Sequence, residues 1–296
     1  MGKGFLMVIL AIAACIAGGC AVERLDAVEG IGGVDASLDA SVNAAAVDAS
    51  IDALADASDE GGALDDSPAP PSCEGDAAVF VTSEPLGMSS SGQFGDYFVR
   101  NNVYNATVDA GPQTLYACSY HSWYVVSDQA DDAGAVVSYP NVQMNFGAAD
   151  AGVPISSFQT ITSTFYETSP HVGVYEDSYD IWLNGIATPG DNQIMIWVDN
   201  YDDRRVPQGS KVTTVPFGGR TYDVWQTSDG SYVALVSTST FTSGTLNLLE
   251  IFNWALDGGL LPPNSTLCQI DFGVEIVSTG GATATFNFED FSITTN

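Results

Sequence analysis

Three short segments carry the side chains from which chemistry could be built. "SYDIWL" brings Asp180 and Trp182, "NQIMIW" brings Gln193, Met195 and Trp197, and "DFGVEI" brings Asp271 and Glu275. Each reads as a strand, in which side chains alternate between two faces. Gln193, Met195 and Trp197 therefore share a face. Sugar rings stack their apolar faces on aromatic rings, and their hydroxyls bond to carboxylates and amides. A cleft lined by Trp, Tyr, Asp and Glu is thus a candidate polysaccharide groove. Carboxylates held in such a place are costly unless paired or used. For Trp123, Trp225 and Trp254 packing is the plainer role, with Trp123 the one of the three expected in the groove.

The elements that must position these residues are mostly strands. From Cys73 to Asn296, runs such as "AAVFVT", "QTLYACSY", "SSFQTITSTFYE" and "TATFNFEDFSI" recur between turn residues. So many alternating strands in one domain predict an all-β sandwich or barrel. One segment, "SGTLNLLEIFNWALDGG", breaks the pattern. Leu248, Ile251, Phe252 and Ala255 fall on one helical face, with Leu249 beside them. Ser243 is placed to cap this helix and Gly258-Gly259 to end it.

Composition narrows the function. The 296-residue chain has a formal net charge of −30 and only seven Lys and Arg. That excludes phosphate-backbone recognition, so no nucleic-acid partner is expected. The two histidines, His121 and His171, have no ligand spacing to a cysteine, so neither a metal nor a cofactor is expected.

Residues 1–19 read as a signal peptide. Lys3 supplies a minimal positive region, Phe5 to Ala14 form an apolar run too short to span a bilayer, and small residues then lead to a cysteine. This is the pattern of a bacterial lipoprotein. Cys20 is the preferred lipid-bearing residue and Cys15 the alternative; an ordinary cleaved secretory signal is the competing reading. All export the protein, either to the periplasm or to the cell surface. Residues 20–72 then repeat apolar-Asp-Ala-Ser units, contain no aromatic residue, and close on "SPAPPS". Such a segment buries too little apolar area to offset its ordering entropy, and is read as an acidic tether. In an oxidising compartment Cys73 and Cys118 are the expected disulfide, with Cys268 a buried free thiol.

Six landmarks in order within residues 73–296 resemble glycoside hydrolase family 12, the endo-β-1,4-glucanases that include cellulases and xyloglucanases. "NNVYN", containing Asn102 and Tyr104, looks like the family's Asn-Asn-x-Trp segment, and "SYPNV" its Ser-Tyr-Pro segment. "SYDIWL" resembles the strand whose Asp supports the nucleophile, and "QIMIW" the Glu-x-Met-Ile-Trp nucleophile strand. "VPQGS" resembles the loop that follows, and "FGVEI" the Gly-Thr-Glu strand of the acid/base. The resemblance implies a two-sheet antiparallel β-jelly roll with a concave groove and one packed α-helix. It implies Glu275 as acid/base, Asp180 as supporting acid, and Gln193 at the nucleophile position. Asn102, Tyr104, Trp123, Trp182, Met195 and Trp197 are the substrate-binding candidates, and a β-glucan is the implied partner of a monomeric, lipid-anchored protein.

Gln193 departs from that pattern. Retaining hydrolysis needs two carboxyl groups about 5–5.5 Å apart, one of them a nucleophile. A neutral amide attacks an anomeric carbon poorly and supplies no full negative charge to an oxocarbenium-like transition state. One expectation is a domain that binds β-glucan without cutting it. Another is hydrolysis through a different carboxylate, Asp191 or Asp180. A third is an adhesion or structural role.

Overall fold

The computed structural model describes residues 73, 77–105, 110–131, 134–148, 151–202 and 206–296. The signal peptide, both lipidation candidates Cys15 and Cys20, and the acidic tether lie outside these residues.

Two sheets pack face to face. The first has six strands, in the order β1 (Phe80–Thr82), β4 (Gln113–Ser119), β5 (Ser122–Ser127), β16 (Ala284–Thr295), β8 (Ile161–Thr168) and β14 (Ser243–Asn247). The second runs β11 (Ser210–Phe217), β12 (Arg220–Gln226), β13 (Tyr232–Ser237), β10 (Asn192–Tyr201), β9 (Val174–Leu183), β15 (Thr266–Ser278), β6 (Asn141–Asn145), β3 (Tyr97–Arg100) and β2 (Ser91–Phe94), with the short β7 (Val153–Pro154) also on β15. Their inner faces form one apolar core, which includes Val142, Phe165, Tyr179, Ile181, Ile194, Phe272 and Phe291. This is the expected jelly-roll sandwich. One pairing departs from the antiparallel rule: β13 lies parallel to β10, Gln193 facing Tyr232 and Trp197 facing Val236.

The alternation along β8 shows why this sequence makes a sandwich. Ile161, Ser163, Phe165 and Glu167 point inward and are buried, while their neighbours are half-buried or exposed. Cys73 and Cys118 form the expected disulfide, tying the start of the domain to β4. Cys268 is buried and outside any disulfide, and its Sγ accepts from the Gly185 N–H at 3.2 Å.

The helix α1 spans Leu248–Asp257 and buries Leu248, Ile251, Phe252 and Ala255, the face read from the sequence. Its start differs from expectation. Ser243 opens strand β14, which pairs with β8 and buries Leu246 between exposed neighbours. The strand period wins there, and Asn247 is the cap, its side chain accepting from the Glu250 N–H. The helix ends at Gly258, and Gly259 follows with φ 70°, a left-handed conformation that favours glycine.

Candidate active site on the concave sheet

Strand β9 is the middle of the site. Its odd-numbered residues Tyr175, Tyr179 and Ile181 face the core, so Glu176, Ser178, Asp180 and Trp182 face the groove. The neighbouring registers extend this face. Asp180 lies opposite Met195 on β10 and opposite Asp271 on β15. Trp182 lies opposite Gln193 and Gln269, and Glu176 opposite Glu275. Beyond β15, Asp271 faces Gln143 on β6, and Gln143 accepts from Arg100 Nη1 at 3.2 Å.

Gln193 and Asp180 are in direct contact. Gln193 Nε2 donates to Asp180 Oδ1 at 2.8 Å. Burial dominates the Asp180 carboxyl and pushes its pKa up to about 8. The Gln193 hydrogen bond and the Trp182 indole oppose that rise, and the charges of Glu275 and Asp191 add to it. Asp271 is also raised well above the usual carboxylate range, first by burial and then by Asp180, with Arg100 pulling the other way. Burial thus favours the neutral form of both facing carboxyls.

Tyr139, of the "SYPNV" segment, lies among these acids. Its hydroxyl donates to the Ser178 carbonyl at 3.0 Å. Burial pushes its pKa far up, and the charges of Asp180, Asp271, Glu275 and Glu176 add to that. A Cβ at Gly273 would sit 2.0 Å from the Pro140 carbonyl oxygen, so only glycine lets this segment pass over β15. Asn102 holds Tyr139 from outside. Asn102 Nδ2 donates to the Tyr139 carbonyl at 3.2 Å, and the Tyr139 N–H donates to the Asn102 carbonyl at 3.0 Å. Neither the Tyr139 contact nor the Asp180–Asp271 pairing was read from the sequence, because both depend on which strands become neighbours.

The family model for glycosyl hydrolase family 12 matches residues 95–296. The chain belongs to glycosyl hydrolase family 12. Among curated relatives, endoglucanase A of Aspergillus kawachii is 24% identical over 216 residues, 68% of this chain and 87% of that protein. A Phytophthora nicotianae protein described as an inactive glycoside hydrolase is likewise 24% identical, over 215 residues, with the same coverage of 68% and 87%. Among solved structures, the xyloglucanase domain of a Sinorhizobium fredii type three effector, in complex with cellobiose, is 27% identical with a TM-score of 0.65, and covers 74% of this chain and 100% of its own. An endoglucanase of Rhodothermus marinus is 25% identical with a TM-score of 0.60, over 68% of this chain and 92% of its own.

Within this family-12 frame the expected site residues divide. Asp180, Gln193 and Trp182 adjoin, and Gln193 and Trp182 remain half-buried at the surface. Glu275 lies four residues beyond Asp271 on β15, about 13 Å along a straight strand. Its charge still reaches Asp180 and Tyr139. Tyr104 is half-buried against Val136, Val174 and Val277, beyond Glu275 along the groove. Asp191 precedes β10 and is fixed in a turn, its Oδ2 accepting from the Thr188 N–H at 2.8 Å.

Three expected ligand platforms are not open surfaces. Trp123 is only 1% exposed, lies in the main core, and stacks on Phe288 with ring centroids 4.0 Å apart. Its position on β5, in the other sheet, faces it inward, away from the groove. Met195 and Trp197 do lie on the groove side of β10. They are nevertheless buried in a cluster with Tyr232, Ala234, Trp225 and Val236, where Tyr232 Oη donates to Met195 Sδ at 3.2 Å. They support the floor under Gln193. A buried aromatic cannot stack on a sugar without first being uncovered.

Proposed function

We propose that this family-12 domain binds β-1,4-glucan of the cellulose or xyloglucan type and hydrolyses it poorly or not at all. The observation that carries the reading is the hydrogen bond from Gln193 Nε2 to Asp180 Oδ1. Aligned on the family pattern, Gln193 occupies the nucleophile position. The amide there is oriented, partnered and uncharged. It can bond to sugar hydroxyls, but it cannot form a glycosyl-enzyme ester. The relatives support the substrate class: one is a xyloglucan-specific endo-β-1,4-glucanase and one structure holds cellobiose. A relative of comparable similarity is described as inactive, so loss of activity has a precedent in this fold.

Hydrolysis through Asp180 or Asp271 is the competing reading. It is disfavoured because burial shifts both towards the neutral form, which is a poor nucleophile and a poor base. Asp191 is disfavoured because its carboxylate closes a turn. We further propose a monomer exported and lipid-anchored through Cys20, with the acidic segment as spacer. Intact-mass analysis of membrane-extracted protein should show a diacylglyceryl group; its absence would exclude the anchor.

The deciding experiment is paired. Calorimetric titration with soluble xyloglucan and mixed-linkage β-glucan should show saturable binding, while reducing-sugar release stays near background. Rapid, Glu275-dependent release of reducing sugar by the unaltered protein would refute the reading.

A further inference from the structure

A second group of acids lies between the sheets, on the opposite side of β9 from the groove. Glu167 comes from β8 of the six-stranded sheet. Asp177 on β9 faces it from the other sheet, beside the core residue Val274. Asp199 on β10 completes the group, brought opposite Asp177 by a register shift between Trp197 and Asp199. Glu167 and Asp177 are wholly buried and Asp199 is 1% exposed. One carboxylate oxygen from each residue lies within 4.8 Å of the others.

Their hydrogen bonding is incomplete. Ser169 Oγ donates to Asp177 Oδ2 at 2.7 Å, and His171 Nε2 lies 3.2 Å from Asp199 Oδ2. Asp177 Oδ1 and both oxygens of Glu167 have no partner; Ser169 approaches Glu167 outside hydrogen-bond geometry. A second buried group lies within reach of the same acids. The hydroxyl of Tyr175, a fully buried residue, has no hydrogen-bond partner either. It lies within the fields of Asp177, Asp199 and Glu167, and the His171 backbone affects it least and outside bonding geometry. Glu167, Asp177 and the Tyr175 hydroxyl thus bring unused oxygens to this buried region, where Asp199 completes the group of acids.

We propose that Glu167, Asp177 and Asp199 hold one divalent cation of the calcium class, which links the two sheets. Calcium takes oxygen ligands at about 2.3–2.6 Å, so two oxygens on one ion lie up to about 5 Å apart. The spacing here falls within that limit. The donors are all hard oxygens, three of them carboxylate, from three different strands. Water on the ion would give the Tyr175 hydroxyl a partner. The site differs from the groove in position and chemistry, and it does not depend on the β-glucan reading.

The test uses terbium as a luminescent substitute for calcium on the full chain stripped with EDTA. Terbium emits strongly when an excited aromatic ring lies close, as Tyr175 does here. Residues 20–72 contain no aromatic residue, so terbium on the acidic tether stays dark. The expected result is saturable emission at one equivalent, displaced by excess calcium, lost in Glu167→Gln and Asp199→Asn, and retained in the groove variant Asp271→Asn. The unaltered protein provides a second readout, since the interior variants can misfold. Calcium at about a hundredfold excess over its Kd should raise the melting temperature by roughly 5–10 °C over the EDTA-treated protein. Emission that persists in both interior variants, or equal melting with calcium and EDTA, would overturn the proposal and leave the three acids sharing protons.

Discussion

Gln193 donates from Nε2 to Oδ1 of Asp180 at 2.8 Å. The pair joins β10 to β9 on the groove face, and burial holds the Asp180 carboxyl neutral up to about pH 8. An amide and a neutral acid together make a polar, uncharged patch on the groove face.

Replacing the amide should restore chemistry. In Gln193→Glu the new carboxylate takes the place of the donor, and the proton on Asp180 can bond back to it. Reducing-sugar release from β-glucan should rise by about a thousandfold or more, the scale on which nucleophile losses are measured. Glu275→Gln added to that variant should remove the gain. No gain with binding intact would mean that Gln193 is not the decisive departure.

Stability should fall with rising pH on account of Asp180. Its folded pKa, about 8, lies above its unfolded value near 4. The folded chain keeps a proton that the unfolded chain releases between those values. The contribution is fully present below about pH 4 and declines as pH rises towards 8. Chemical denaturation from pH 5 to 8.5 should show this slope, and Asp180→Asn should flatten it. An unchanged slope would place the titration elsewhere.

Trp182 and Trp123 should behave oppositely. Trp182→Ala removes a half-buried ring beside Gln193, and β-glucan affinity should weaken roughly five- to tenfold with little loss of stability. Trp123→Ala empties a core position and should cost about 3–5 kcal/mol of stability, with the affinity of the folded protein unchanged. Affinity loss from Trp123→Ala in folded protein would reverse the assignment.

Removing the Cys73–Cys118 disulfide should cost about 2–4 kcal/mol, because it restrains the unfolded chain over 45 positions. Denaturant midpoints of Cys73→Ser/Cys118→Ser against the unaltered protein measure it. Sugar binding should survive.

What could be read from sequence followed local period. Gln193, Met195 and Trp197 were placed on one face by alternation, and their partners Trp182, Asp180 and Ser178 share that face. The buried face of α1 followed from helical spacing. The apolar alternation and the cysteine context also pointed to a sandwich and its disulfide. Burial was harder to read. Alternation gives the face of Met195 and Trp197, but the cluster with Tyr232 and Trp225 that buries them comes from β12 and β13. Trp123 looked like a groove residue because nothing local says which sheet β5 joins. Ser243 looked like a helix cap because its pairing with Tyr166 lies 77 residues away in the chain. The group Glu167, Asp177 and Asp199 crosses both sheets and depends on a bulge, so no spacing within one segment announces it.

That bulge divides β10 into two halves that answer to different demands. Before it, Gln193, Met195 and Trp197 serve the groove; after it, Asp199 serves the interior. Substitutions in the first half can alter or abolish catalysis while the junction between the sheets is untouched. Selection can therefore act on the two halves separately, and changes on the groove face need not disturb the interior. Without that bulge, the alternation that puts Trp197 on the groove face would put Asp199 there as well.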